Sequence, residues 1–314
     1  MHSVGNIFRP LSSPAQYTYE VSLLTMATCA AIFLVVAGLL AYTIVRFRAK
    51  QGDSDREPPQ IYGSNQIEIA WTVLPILIVF VLTMATARVV SAIQDRRPTN
   101  GSLQVTVIGH QWWWEFRYPA FGVVTANELH VPLSSSDQPR PTFLRLESAD
   151  VAHSFWVPQL AGKTDLIPNR VNTMWIEPKA LGIFLGNCAE YCGTEHAKML
   201  IRVVVQRADE FERWIREQSR DAASTGEGQQ EFLSLSCVNC HTVRGTSAKG
   251  TFGPDLTHLM SRQTLGSGAL TNDPKNLLDW VRNPDHAKPG SLMPNMQLTG
   301  SELKRVVGYL TTLQ

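Results

Sequence analysis

Charge is scarce in this chain: Asp, Glu, Lys and Arg make up 18% of its 314 residues, against about 25% in an average soluble protein. Neither sign is in excess. With 28 basic and 27 acidic residues the net charge is +1, so the positive field that a phosphate-backbone binder relies on is missing and no nucleic-acid partner is expected. Cysteine is sparse as well. Five cysteines cannot staple a fold of this size, which excludes a disulfide scaffold. Disorder is excluded too, because it needs low hydrophobicity and the chain is 44% hydrophobic. A mean hydropathy of −0.07 rules out a chain lying in a membrane throughout. Internal repeats, nucleotide-binding motifs and nucleophile–base sets are all lacking.

Long apolar runs are present, but only near the N-terminus. Val21 to Val45 is 25 residues without a charge, enough helix to cross ~30 Å of hydrocarbon. The run is too long for the apolar stretch of a signal peptide and no basic segment leads into it, so it reads as a retained membrane helix. Cys29 within it reads as a small buried apolar residue. Ile69 to Ala87 is a second uncharged run, of 19 residues, and Pro75 near its start is tolerated there. Residues 1–97 therefore form an N-terminal segment and a transmembrane hairpin, with helices over about 21–45 and 69–93. Arg46, Arg48, Lys50 and Arg56 crowd the intervening loop, whereas only Arg9 precedes the first run. The positive-inside rule puts that loop in the cytoplasm and everything after Arg88 on the outer side.

From Leu103 the period changes to two. Leu103–Val107, Thr142–Leu146 and Asn172–Ile176 alternate, and Leu200–Val205 is β-branched. Short strands punctuated by Pro, Gly and Asn predict an all-β domain over 98–206. Ala208 to Ala222 predicts a charged helix with Phe211, Trp214 and Ile215 on one face, and Ser224–Gly228 a linker, so 207–228 connect. Residues 229–314 read as a third unit with short helices over 228–236, 276–281 and 301–311.

Two clusters carry chemistry. Residues 188–199 place Cys188, Cys192, His196 and Met199 within twelve positions, and His153 lies upstream between strands. Thiolate with thioether is a soft donor set that selects copper. One cysteine more than a mononuclear blue-copper site suggests two coppers sharing two sulfurs. A Cys188–Cys192 disulfide, a zinc site and a copper-delivery module compete with that reading; zinc has no use for the Met. The second cluster, Cys237-Val238-Asn239-Cys240-His241, is a c-type haem attachment motif. Phe252–Leu256 follows it, then Leu292-Met293-Pro294-Asn295-Met296 in a Pro- and Gly-rich loop. His/Met ligation gives an electron-transfer haem of raised potential. Met293 and Met296 could each be the distal ligand. His258 and His286 are expected on the surface.

Residues 15–205 resemble subunit II of haem-copper cytochrome c oxidases. The resemblance rests on Ile67–Thr72, Gly109–Trp114, Asp150–Phe155, Lys163–Asp165 and the cysteine loop. With the C-terminal unit it is to members carrying a fused class I cytochrome c. It implies a mixed multidomain protein: a membrane hairpin, a cupredoxin-like β-barrel and an all-α cytochrome c domain. It implies a dinuclear CuA centre held by His153, Cys188, Cys192, His196, Met199 and the backbone carbonyl of Glu190. The Glu190 carboxylate matches a magnesium ligand at the border with subunit I. Trp112 matches the electron-accepting residue, Glu68 the acid at a proton-channel mouth, and Asp150 a docking acid whose bland reading is structural. Haem c would be held by Cys237 and Cys240 thioethers with His241 and Met293 as axial ligands.

The implied function is subunit II of a terminal oxidase of the aerobic respiratory chain. Electrons would pass from haem c to CuA and then to haem a in subunit I, where dioxygen is reduced to water with proton translocation. The implied partners are subunit I with haem a and CuB, subunit III, membrane lipid, and an upstream cytochrome c or quinol-oxidising complex. The implied location is the bacterial inner membrane, with the copper and haem domains on the periplasmic side. Fusion makes the first transfer intramolecular, at an effective concentration of ~mM for a short flexible linker, and moves outside docking from Trp112 to the haem edge. A CuA-bearing nitric oxide reductase subunit and a free-standing tethered electron carrier are the alternatives.

Overall fold

The computed structural model describes residues 5–48, 60, 62–99, 101–222 and 226–314. Two compact units emerge, Tyr17–Arg96 on its own and Met1–Gln16 together with Arg97–Gln314. The first consists of helices α1 (Ser13–Arg46, 34 residues) and α2 (Asn65–Gln94, 30 residues). Both are long and apolar enough to cross a membrane, and none of the residues in either apolar window is buried. Helices hydrophobic all round suit lipid. Both begin earlier than the uncharged runs because one acid ends a run without ending a helix. Glu20 lies within α1, and Glu68 sits in the first turn of α2, where the helix dipole favours an anion. Cys29 is exposed on α1 rather than buried, since none of the described residues covers that face. Arg46 closes α1; Lys50 and Arg56 lie outside the described residues.

In the second unit, residues 103–206 form ten strands in two five-stranded sheets. These are β1 (Leu103–His110), β2 (Trp113–Tyr118), β3 (Val123–Ala126), β4 (Glu128–Pro132), β5 (Thr142–Ser148), β6 (His153–Trp156), β7 (Thr164–Leu166), β8 (Asn172–Ile176), β9 (Gly182–Cys188) and β10 (Leu200–Gln206). One sheet runs β3-β2-β1-β5-β8 and the other β4-β10-β9-β6-β7. The β1–β5 and β4–β10 pairs are parallel, so no hairpin can join them and the chain passes from sheet to sheet. Alternation decides which side chains enter the core. Ile201, Val203 and Val205 point inward from β10. They meet Val105, Val107, Trp114 and Leu146 of the facing sheet in one cluster with Phe155 and Phe184. The segment before α1 adds an edge: Leu11 N–H donates to Gln159 O at 2.9 Å and its carbonyl accepts from Lys179 N–H at 2.8 Å.

Helix α3 (Ala208–Gln218) ends short of the expected Ala222. It buries Phe211, Trp214 and Ile215 as anticipated, with Trp214 stacked 4.1 Å from the His130 ring. Glu210 in its first turn accepts from the Arg207 backbone N–H at 3.1 Å, which fixes the start.

The C-terminal part carries α4 (Glu227–Ser234), α5 (Cys237–Cys240), α6 (Pro274–Arg282), α7 (Pro284–Ala287) and α8 (Gly300–Leu310). A small hairpin, β11 (Thr264–Leu265) and β12 (Leu270–Thr271), and the short helices α5 and α7 were not anticipated. Phe232, Val243, Leu256, Leu277, Val306 and Leu310 form a second core. Asp273 caps α6, and a Thr299–Glu302 capping box starts α8. His286 is exposed. His258 is buried, at 5% exposure, contrary to expectation. Its Nδ1 lies 2.6 Å from Gln314 O and its Nε2 3.0 Å from Arg220 O, so the ring ties the chain end to the segment leaving α3.

Trp214→Ala removes the side chain that joins α3 to Tyr118 and His130. The expected loss is about 3–5 kcal/mol, read as a fall of roughly 10 °C in the thermal unfolding of the β domain by circular dichroism; Trp214→Phe should recover most of it.

Candidate metal and cofactor sites

Pairing of β6 with β9 makes the first site. Phe155 lies opposite Cys188, so His153, two residues earlier on the same face, reaches the sulfur across 35 positions of sequence. The loop after β9 folds back through a 3-10 turn at His196–Lys198 into β10 and returns Cys192, His196 and Met199 to the same place. Among the described residues, His153, Cys188 and Cys192 offer donor atoms all within 4.8 Å of one another. His153 Nδ1 lies 3.9 Å from Cys188 Sγ, and His196 Nδ1 3.6 Å from Cys192 Sγ. Met199 Sδ is 3.8 Å from Cys192 Sγ, and Cys188 Sγ donates to the Glu190 carbonyl at 3.1 Å. Cys188 and Cys192 are free thiols, both buried. Two thiol sulfurs, two imidazole nitrogens, a thioether and a carbonyl converge, a soft donor set of the kind that selects copper.

The surroundings prepare these groups. The hydrogen bond with Cys192 lowers Cys188 despite burial, with help from His153, while Cys192 is pushed up. Both thiols must give up their protons when a metal binds. Behind His153, Asp150 Oδ1 accepts from Nε2 at 2.8 Å, which leaves Nδ1 toward the sulfurs. Burial opposes the charge of Asp150, yet His153 and the amides of Val151 and Gln111 hold its carboxyl below the usual range. Gly109 on β1 makes room for the ring: a Cβ there would stand 2.7 Å from His153 Cδ2. Asp150 therefore positions the His153 ring while remaining exposed itself, and its i,i+3 spacing to His153 was the available signal.

The remaining expected residues fall in different places. Glu190 presents its carbonyl to Cys188, while its carboxylate points outward, 3.7 Å from Lys163 Nζ. Trp112 Nε1 and Gln111 Nε2 both donate to the Cys192 carbonyl, at 3.0 and 2.8 Å. Glu68 belongs to the helical unit and is exposed.

The second site is a cleft of about 1510 Å³, open mouth included, in the C-terminal part. Cys237, Cys240, His241, Met293 and Met296 all line it. His241 Nδ1 donates to Pro254 O at 2.8 Å, so Nε2 is the nitrogen left for a ligand. Burial lowers the imidazole, more than the Pro254 contact raises it, and favours the neutral, ligating form. Gly253 lies against that ring, where a Cβ would be 2.6 Å from His241 Cε1. Volume, two thiols and a tautomer-fixed histidine fit a covalently attached haem. Gln111, Trp112, Trp113 and Asn127 of the β domain complete one wall. Lys288 sits beneath this wall. Burial pulls its ammonium down to about 8, partly offset by nearby Glu195.

Three family models cover most of the chain: cytochrome c oxidase subunit II, transmembrane domain, over residues 3–89; cytochrome c oxidase subunit II, periplasmic domain, over 103–207; and cytochrome c over 226–314. Cytochrome c oxidase subunit 2 of Alkalihalophilus pseudofirmus is 32% identical over 97% of this chain and 90% of that protein. The same subunit of Bacillus subtilis is 30% identical, over 98% and 91%. The crystal structure of the periplasmic domain of subunit II of cytochrome oxidase from Bradyrhizobium japonicum is 30% identical over 37% of this chain and 92% of that one, with a TM-score of 0.35. Fold and donor sets define a respiratory electron-transport protein that joins a membrane hairpin, a CuA-type β domain and a c-type cytochrome. The chain belongs to the cytochrome c oxidase subunit II family, in the form with a C-terminal cytochrome c domain.

Asp150→Asn keeps the shape but removes the charged acceptor behind His153. Copper affinity, measured by competition with a chelator, is expected to fall about 10–100-fold; an unchanged affinity would show that Asp150 does not orient the ring.

Proposed function

We propose that this chain is the electron-input subunit of a terminal oxidase of the aerobic respiratory chain. The observation that carries the reading is the convergence of the Cys188, Cys192, His153, His196 and Met199 donor atoms beside a wall shared with the haem cleft. When bound, the two groups supply one-electron relay, from haem c to CuA and on to haem a in subunit I, where dioxygen is reduced to water with proton translocation. His153, Cys188, Cys192, His196, Met199 and the Glu190 carbonyl hold the copper pair. His153 and Cys188 are buried and anchored on paired strands, which resists rearrangement when the charge changes and suits fast relay. Cys237 and Cys240 would hold the haem covalently through thioethers, and His241 and Met293 would ligate its iron. Trp112 is the electron-transfer residue on the wall between the sites. Its indole N–H on the Cys192 carbonyl gives a hydrogen-bonded link into the thiolate loop.

The Glu190 carboxylate is assigned to magnesium at the subunit I border, and Glu68 to the proton-channel entrance. Subunit I, with haem a and CuB, and subunit III are the partners, with an upstream cytochrome c or quinol-oxidising complex as donor. The location is the bacterial inner membrane, with the copper and haem domains on the periplasmic side.

The deciding test is the electron paramagnetic resonance spectrum of the oxidised, metallated full chain. One unpaired electron shared by two copper nuclei gives seven hyperfine lines, whereas four lines or silence would overturn the reading. For the haem, Met293→Leu should abolish the sulfur-to-iron charge-transfer band in the far red. Met296→Leu should leave it in place; the reverse result would exchange the two assignments.

A further inference from the structure

The interface between the cytochrome c domain and the β domain is built around two buried charges, one contributed by each side. Lys288 of the cytochrome domain is 3% exposed and Glu128 of β4 is 1% exposed. Residues of these types are almost never fully buried without partners, and each finds partners across the boundary. Lys288 Nζ donates to Trp112 O at 2.7 Å and Lys198 O at 3.0 Å, both in the β domain, and to Gly266 O at 3.2 Å in its own. An ammonium has three donors, and all three are used. Glu128 Oε1 is the mirror case. It accepts from Gln263 N at 2.8 Å, Thr264 N at 3.1 Å and Thr264 Oγ1 at 3.3 Å, all in the cytochrome domain. Between the clamps, Leu200 N–H donates to Ser267 O at 3.2 Å, and Ser267 Oγ to Leu200 O at 2.9 Å. Glu195, buried with one oxygen lacking a hydrogen-bond partner, adds negative charge on the side Lys288 enters.

We propose that Lys288 and Glu128 are positioning residues that lock the cytochrome domain onto the β domain, so that the haem cleft stays closed against the Gln111–Trp113 loop. The first electron transfer is then a fixed-distance step rather than an encounter set by a flexible linker. This rests on the relay reading above. A misaligned docked pose would leave a buried ammonium, a buried carboxylate and up to seven backbone groups without partners, so one orientation is strongly preferred. The surface around Trp112 is correspondingly closed to outside donors.

The test is hydrogen exchange on the full chain in detergent, which reads neither copper nor haem. Amides of Gln263, Thr264 and Leu200 are expected to be protected in the wild type and to exchange together. Lys288→Met touches none of these amides, yet docking as a unit requires that it speed all three by about tenfold or more. Glu128→Gln should do the same at Leu200. Exchange at Gln263 and Thr264 within twofold of wild type in Lys288→Met would overturn the proposal. So would unprotected amides in the wild type, a measurement that needs no variant. In the assembled oxidase, transfer from haem c should be independent of solvent viscosity in the wild type and slower and viscosity-dependent in Lys288→Met. Loss of the seven-line signal would sink the relay reading while leaving the exchange result standing, so the two failures are distinguishable.

Discussion

Everything in the copper-type domain answers to one requirement: two thiols must be held close together, with an imidazole aimed at them, in a place that does not move. Thiol pairs left on a loop form disulfides or drift apart. Here the first sulfur ends a strand, the histidine begins its neighbour, and the β6–β9 register fixes their separation before any metal arrives. The loop then has only to return Cys192, His196 and Met199, and the Cys188 N–H to Met199 O bond at 2.9 Å closes it back on its own start. Much of the barrel follows from this. The aromatic core of Trp114 and Phe155 packs behind the imidazole, the position opposite must be glycine, and Asp150 must supply an acceptor.

The same requirement explains what could be read in the sequence and what could not. The ligands are legible because chemistry restricts them to Cys, His and Met at short spacing, and Cys237–His241 is legible for the same reason. Membrane helices were found from lack of charge, yet their ends were misplaced at Glu20 and Glu68, because a charge limits burial in lipid and not helix formation. The strands with clear alternation were placed within a few residues. The short helices α5 and α7 and the β11–β12 hairpin have too few residues to show a period. His258 looked like any surface histidine, because its carbonyl partners, Arg220 and Gln314, are 38 and 56 positions away.

Lys288 and Glu128 were invisible on the same grounds. A lysine next to Pro289 in a polar loop reads as solvated, and a glutamate between Asn127 and Leu129 reads as the outward face of a strand. Only tertiary structure shows that each ends among backbone groups of the other domain. The ligand geometry of one domain is specified by local motifs, whereas the relation between domains is specified by isolated charged residues with no motif at all.

That difference bears on how a fused carrier works. A tethered domain on a flexible linker gains concentration but still has to find its pose at each turnover, and its rate carries the cost of the search. A domain whose interface buries a satisfied cation in one direction and a satisfied anion in the other has made that search once, on folding. Burying charge at the join adds little net attraction compared with apolar packing, but it penalises every misaligned pose in which either charge loses its carbonyls or amides. Charge at this boundary therefore selects orientation more than it adds affinity. Orientation is what the proposed relay between two fixed centres needs, because its rate depends on their separation and relative pose.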